Sequence, residues 1–447
     1  MGAWDPERLD RQIFVGDARE YHRIAGHLLE DRVFSGSRRP PLEPETGRVP
    51  LYPAFLALCY GIFGPHPHRA ILLQLVFGAL TCGVTVRIGA LLFDRRAAIL
   101  AGLLLAVDYS SVIFSNRLYS DTLFTFLFAL VLWALARFVV SGSTRDLAVA
   151  GALLGAATLC RPVSVYFGLA LAPLVWLRLR RRPVLALARW GALVAAFALV
   201  VAPWVLRNYR LTGRPYVSSM QAQIVEWLLP AIVGPARGED AAATATPADA
   251  AGGVAPSVAV PATPATPPPL TWRDAAVDAG RYVSGAARFF AILGSGELPL
   301  ILGIPYGRHD AIALRTESLR GWVEATLRNR SSPFERTVVV AFLAWLVVLY
   351  TGAALGIARA IRDRRWTETT LLVLSIAYFV VATGVIAWEV RYRLPTLPAI
   401  VLLAGYGFAQ VSRRSPASNS RSAARRRAAN ATPERSAVSS SVFLPSL

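Results

Sequence analysis

Charged side chains that are costly near a bilayer recur at a few points of an otherwise apolar chain. Asp17 and Glu20 stand in Gly16-Asp17-Ala18-Arg19-Glu20-Tyr21-His22, and Arg48 opens Arg48-Val49-Pro50-Leu51-Tyr52-Pro53. Arg117 and Asp121 lie four residues apart, Arg161 sits in Cys160-Arg161-Pro162 inside an apolar stretch, and Arg207 follows Pro203-Trp204. Arg391 and Arg393 alternate in Trp388-Glu389-Val390-Arg391-Tyr392-Arg393. Within a span such a residue costs on the order of 2.5–3.5 kcal/mol, whereas at a boundary it snorkels at little cost. A purely structural role therefore competes most strongly for Arg207 and Arg393. Arg117 and Asp121 could also neutralise each other on one helix start.

Arginine recognises phosphate through its planar fork of donors, and a carboxylate can take a proton from a hydroxyl. Together they suit displacement of a lipid phosphate from a sugar by an acceptor hydroxyl, with the arginines neutralising the leaving phosphate. No Gly-rich loop precedes a helix, which disfavours a nucleotide-sugar donor. The histidines, among them His22, His27, His66 and His68, make no metal pattern, and Cys59, Cys82 and Cys160 have no paired spacing. No cofactor is expected; a divalent metal is possible but not required.

The elements that must hold these residues are membrane helices. The 447 residues are 54% hydrophobic and 17% charged, against about 25% charged in soluble domains. A water-soluble enzyme and a largely disordered chain are both excluded. The net charge of +19 comes entirely from arginine, placed mainly at helix ends and in the C-terminal tail, so nucleic acid is not an expected partner. The expected fold is an all-α polytopic bundle of about nine spans with an outward-facing loop domain.

Residues 1–68 read as an outer segment with an amphipathic helix at 17–30 and an interfacial helix at 51–64, too short to span. Six spans are expected within 69–206, at 69–93, 97–114, 121–140, 146–160, 162–178 and 184–206. Residues 207–335 form a polar outer region. Its 239–270 part is Ala/Pro/Thr-rich and extended or disordered, and a helical cap follows through Ile312, Thr316, Leu319, Val323 and Leu327. Three further spans fall in 336–411, at 336–359, 366–388 and 394–411, and 412–447 is a basic, disordered tail.

Arginine asymmetry sets the orientation. The turns after alternate spans hold Arg95 and Arg96; Arg145; Arg178, Arg180, Arg181 and Arg182; and Arg359, Arg362, Arg364 and Arg365. The opposite turns hold Arg117, Arg161, Arg391 and Arg393. The first side is cytoplasmic, so the candidate chemistry faces outward from the cytoplasmic (inner) membrane. A polar N-terminal segment on the outside either follows a further helix upstream or is translocated by the chain itself, and of the two a missing first helix is expected.

With those residues placed, the sequence resembles the GT-C membrane glycosyltransferases of glycosyltransferase family 39, which include protein O-mannosyltransferases and aminoarabinose transferases. The resemblance runs through Asp17-Ala18-Arg19-Glu20-Tyr21, Arg48-Val49-Pro50-Leu51-Tyr52-Pro53, Gly61-Ile62-Phe63-Gly64, Ser120-Asp121-Thr122-Leu123-Phe124, Arg161-Pro162, Pro203-Trp204-Val205-Leu206-Arg207-Asn208-Tyr209 and Arg391-Tyr392-Arg393-Leu394-Pro395. It implies that Asp17 is the catalytic base, with Glu20 beside it, that Arg48 contacts lipid phosphate, and that Asp121 is the acidic residue opening a later span. The acidic pair is Asp-x-x-Glu here instead of adjacent, and the 239–270 insert is not a family feature.

The resulting expectation is a transferase that moves a sugar, with inversion, from a polyprenyl-phosphate donor to a hydroxyl acceptor of the cell envelope. Asp17 and Glu20 would be catalytic; Arg48, Tyr52, Arg117, Asp121, Arg161, Arg207, Arg391 and Arg393 would bind substrate. The alternatives are a flippase for lipid-linked sugars, which would tolerate Asp17→Asn, and a ligase or polymerase of O-antigen type, which would lean on Arg and His.

Overall fold

The computed structural model describes residues 14, 16–223, 226, 333–383 and 390–411. The 239–270 insert, the expected cap at 312–327, Glu389 and the tail after Val411 lie outside the described residues. Among the described residues every regular element is helical.

Among the described residues two helices precede the bundle: α1 (Ala18–Glu30) and α2 (Leu51–Phe63). Then come α3 (Pro67–Leu92), α4 (Arg95–Ala106), α5 (Tyr109–Ser115), α6 (Asp121–Ser141) and α7 (Thr144–Cys160). A short 3₁₀ turn (Pro162–Ser164), α8 (Phe167–Ala170) and α9 (Ala172–Leu179) lead to α10 (Pro183–Thr212). The C-terminal part holds α11 (Pro333–Arg362), α12 (Trp366–Thr383), a 3₁₀ segment (Val390–Thr396) and α13 (Leu397–Val411).

Local chemistry sets the ends of these helices. Asp94 caps α4 by accepting from the N–H groups of Arg96 and Ala97, both at 3.0 Å, and Ser143 caps α7 through Arg145 N–H. Such a cap typically contributes about 1 kcal/mol. Pro67 and Pro183 sit in the first turns of α3 and α10, where their missing N–H costs nothing. Gly142 and Gly213 stop α6 and α10 in left-handed conformation.

Among the described residues six stretches are long and apolar enough to cross a membrane, seven if the bent pair α4–α5 counts as one. The expected span 97–114 is that pair, bent by 55°. Asp108 explains the break: its carboxylate accepts from Ser111 N–H at 2.9 Å and starts a new helix. The 17-residue α7, about 26 Å long, and the 15-residue α13 fall short of a bilayer core of about 30 Å. Conversely, α10 runs past the expected end at 206 to Thr212, carrying Pro203 within it.

Helix α6 is the most enclosed of the six. Phe128 meets Phe167 and Phe379 edge-on at 5.1 and 4.9 Å, giving the core aromatic contacts between α6, α8 and α12. Leu72, Leu103, Leu187, Leu199 and Val347 remain exposed on the outside, a surface that suits lipid.

Small residues let the outer helices touch backbone to backbone. A Cβ on Gly151 would collide with the carbonyl of Leu193, and one on Gly356 with the carbonyl of Leu403. Gly356→Val is therefore expected to separate α11 from α13 and to destabilise the protein by about 1–3 kcal/mol. Thermal unfolding in detergent checks this; an unchanged midpoint would show that the seam relaxes freely.

Candidate functional site

The site begins at the turn before α1. Gly16 adopts φ +54°, and a Cβ there would stand 2.8 Å from Tyr119 Oη, so the turn into Asp17 needs glycine. Asp17 occupies the N-cap position of α1 but makes no capping bond. Its carboxylate instead meets two guanidinium groups. Arg48 Nη2 donates to Asp17 Oδ1 at 2.8 Å, and Arg391 Nη1 donates to Asp17 Oδ2 at 2.7 Å. Glu20, one turn along α1, accepts from Arg48 Nε at 3.0 Å and Nη2 at 2.6 Å.

Arg48 is held from several sides. Tyr21 places its ring 5.3 Å from the guanidinium carbon. Glu45 accepts from the N–H groups of Gly47 at 2.6 Å and Arg48 at 3.3 Å, folding the loop into a tight turn. Arg207 Nη1 donates to the Glu45 carbonyl at 2.8 Å, and Ser218 Oγ to the Gly47 carbonyl at 2.6 Å. Arg207 itself lies over Trp204 at 4.4 Å and Phe34 at 5.4 Å. Its observed contacts brace the loop that carries Arg48.

A second ion pair lies alongside. Asp121, at the start of α6, is 1% exposed and pairs with Arg161 Nη1, which the chain break between α7 and the 3₁₀ turn presents. Tyr392 joins the two pairs: its ring lies 5.8 Å from the Arg161 guanidinium carbon and 5.6 Å from that of Arg391. Tyr21 makes another link, its hydroxyl standing 3.4 Å from Ser120 Oγ. Three carboxylates and three guanidinium groups thus converge from five stretches of chain.

Burial pushes the Asp17 carboxyl upward, but the charges of Arg48 and Arg391 and their hydrogen bonds outweigh it, holding it below its ordinary value. Arg48 is likewise held above its ordinary value: burial lowers it, while Tyr21, Glu20 and Asp17 together raise it further. Asp17 is ionised at neutral pH and shared between two cations.

The remaining expected residues stand elsewhere. Tyr52 is fully buried and donates to Gln74 Oε1 at 2.6 Å, and Gln74 Nε2 donates to the Arg117 carbonyl at 2.7 Å. Arg117 packs over Phe114 at 5.9 Å. Arg393, 1% exposed, donates to Ser110 Oγ at 3.0 Å and Tyr350 Oη at 3.2 Å. These contacts support the scaffold. Sequence reasoning missed Glu45, Tyr21 and Tyr392 as supports; the spacing of Glu45 three residues before Arg48 was the available signal for the first. Among the described residues no group of three or more His, Cys, Asp or Glu could hold a metal ion.

The fork of Arg48 grips Glu20 through two nitrogens and Asp17 through one, a geometry that lysine cannot reproduce. Arg48→Lys is expected to keep the charge but weaken binding of an inorganic or lipid phosphate by about tenfold, the scale of one charge-assisted hydrogen bond. Titration with a polyprenyl phosphate checks this, and equal affinity would remove Arg48 from phosphate recognition.

The fold is similar to that of the Archaeoglobus fulgidus oligosaccharyltransferase tethered with an acceptor peptide. The TM-score is 0.51 and the identity 14%, over 89% of this chain and 45% of that one. Residues 43–206 match the family model described as dolichyl-phosphate-mannose-protein mannosyltransferase. That stretch is about a third of the chain, and the likeness in fold extends beyond it. ArnT from Cupriavidus metallidurans bound to undecaprenyl phosphate is also similar, at TM-score 0.42 and 18% identity, over 96% of this chain and 79% of that one. The comparison with curated proteins finds no match. The chain spans about half the length of the archaeal oligosaccharyltransferase, and the stretch matched by the family model holds Arg48, Asp121 and Arg161 but not Asp17 or Arg391.

Proposed function

We propose that this chain transfers a sugar, with inversion at the anomeric carbon, from a polyprenyl-phosphate donor to a hydroxyl of a cell-envelope acceptor on the outer face of the cytoplasmic membrane. The observation that carries the reading is the sharing of Asp17 between Arg48 and Arg391. The family description, which names a dolichyl-phosphate-linked mannose, supports the class of donor.

The chemistry follows from charge balance. An arriving phosphate competes with Asp17 for Arg48 and Arg391, because a phosphate oxygen accepts the same charge-assisted bonds. Once the arginines turn to the phosphate, Asp17 loses the interactions that held its basicity down. It then takes the proton of the acceptor hydroxyl as that oxygen attacks the anomeric carbon from the face opposite the phosphate. The sugar–phosphate bond breaks, and the arginines hold the charge on the departing polyprenyl phosphate. Glu20 keeps Arg48 oriented, and Asp121 with Arg161 forms the neighbouring wall toward sugar or acceptor hydroxyls.

The test uses the purified full chain with a panel of radiolabelled polyprenyl-phosphate sugars and envelope acceptors. Label is expected to move to an acceptor with the opposite anomeric configuration. Movement of donor across a vesicle membrane without any transfer would overturn the reading in favour of a flippase.

A further inference from the structure

The far end of the bundle carries a second charged construction. Helix α6 separates it from Asp121 by about 30 Å, the length of 21 helical residues. There a cavity of about 720 Å³ is lined by Arg178, Arg180, Arg181, Arg182, Arg189 and Arg364, a volume within the range of small-ligand sites, about 300–1,000 Å³. Among the described residues its one acidic lining residue, Glu368, already pairs with Arg365 at 3.4 Å.

Two of the arginines are fixed by the open carbonyls at the end of α6. Arg178 Nε donates to the Val139 carbonyl at 2.7 Å and Nη2 to that of Val140 at 3.3 Å, while Arg189 Nη1 donates to the Gly142 carbonyl. Arg189 Nε is buried and finds no acceptor among the described residues. Arg364 occupies the left-handed position that ends α11, at φ +55°, with Arg365 N–H bonded to the Ala360 carbonyl and Arg364 N–H to that of Ile361. Glycine is the usual residue in that motif, and here an arginine takes it beside the cavity. Retention of arginine at a terminus for topology alone needs charge, not a concave, hydrogen-bonded arrangement of it.

We propose that this cavity binds the phosphate headgroup of an anionic lipid from the leaflet at that end. Exposed Trp366 lines it together with Leu177, Leu179 and Leu185, and exposed Trp176, Val140 and Leu187 lie within two residues in sequence of lining residues. Tryptophan beside apolar side chains marks the headgroup level of a bilayer, and basic pockets between membrane helices fit lipid phosphates. A free phosphate ion would leave that apolar rim unused.

Native mass spectrometry of the full chain, delipidated and then offered cardiolipin or phosphatidylcholine, tests the site. One retained cardiolipin per chain is expected, with no retained phosphatidylcholine. Arg180, Arg181 and Arg364 are exposed, and R180Q/R181Q/R364Q is expected to lower cardiolipin affinity by about a hundredfold, roughly fivefold for each cation. R364G alone, which suits the left-handed turn, is expected to lower it severalfold without loss of thermal stability. R425Q/R426Q/R427Q removes equal charge from the C-terminal stretch and is expected to change nothing. An equal loss in that control would reduce the effect to diffuse charge. Full displacement by millimolar inorganic phosphate, or no retained cardiolipin in the wild type, would also overturn the proposal.

Discussion

Asp17→Asn is expected to slow sugar transfer by about 10²–10⁴-fold, the range for loss of a general base, while the donor binds as tightly as before or more so. The second half of that expectation is the sharper. Asp17 pairs with Arg48 and Arg391, and in the proposed mechanism it competes with phosphate for them. Asn at this position has no charge with which to compete, so both arginines become more available. A variant that binds polyprenyl phosphate poorly would instead place Asp17 in donor binding. The pH dependence follows from the direction of the shift. Because Asp17 is held below the ordinary carboxylate value of about 3.9, the acid limb of kcat/KM is expected below that value. The stability Asp17 contributes is fully present above its unfolded pKa and lost as pH falls through the lower folded one. The Asn variant should lack that acid-dependent part of the unfolding curve.

Asp121→Ala is expected to give the largest loss of stability, about 3–5 kcal/mol, the cost of leaving one partner of a buried pair without the other. Arg161 would remain under Tyr392 and Phe124 with its counter-charge gone. Removing both charges, as in Asp121→Leu with Arg161→Met, is expected to recover most of that loss, since an apolar pair of similar volume carries no desolvation cost. Chemical unfolding in detergent of the wild type, D121L, R161M and the double variant measures the coupling. Additive losses would mean that the two side chains act independently, against the contact seen here.

Helical periodicity and cost made much of this architecture legible. Apolar runs predicted α3, α6, α10, α11 and α12 because a bilayer leaves the backbone few alternatives to helix. Residues too expensive to bury singly, Asp17, Arg48, Arg161 and Arg391, pointed to one another, and the fold brings them together. Less legible were features that depend on three-dimensional neighbours. Asp108 reads as one polar residue in an apolar run, yet its capping bond divides the expected span into α4 and α5. Arg207 and Arg391 are the same residue type in similar boundary contexts. Only the fold shows that one braces a loop through the Glu45 carbonyl while the other reaches a carboxylate 374 positions away. The pairing of Asp121 with Arg161 instead of the nearby Arg117 was likewise undecidable from spacing, since four residues on a helix start would serve equally well.

The 3₁₀ segment Val390–Thr396 joins two arginines of opposite character. Arg393 is sealed inside the bundle against Ser110 and Tyr350, and Thr396 Oγ1 donates back to its carbonyl at 2.7 Å. Two residues earlier, Arg391 reaches the Asp17 carboxylate. One end of this short arm is thus anchored, and in the proposed mechanism the other exchanges Asp17 for phosphate. The backbone beneath Arg391 is ordered when the protein folds, so a phosphate that replaces Asp17 there has only a side chain to reorient. Affinity in such an arrangement is gained by preorganisation. It can also be tuned at a distance: loosening the anchor at Ser110 or Tyr350 would let the arm swing, weakening the grip of Arg391 without touching either the ligand or the base.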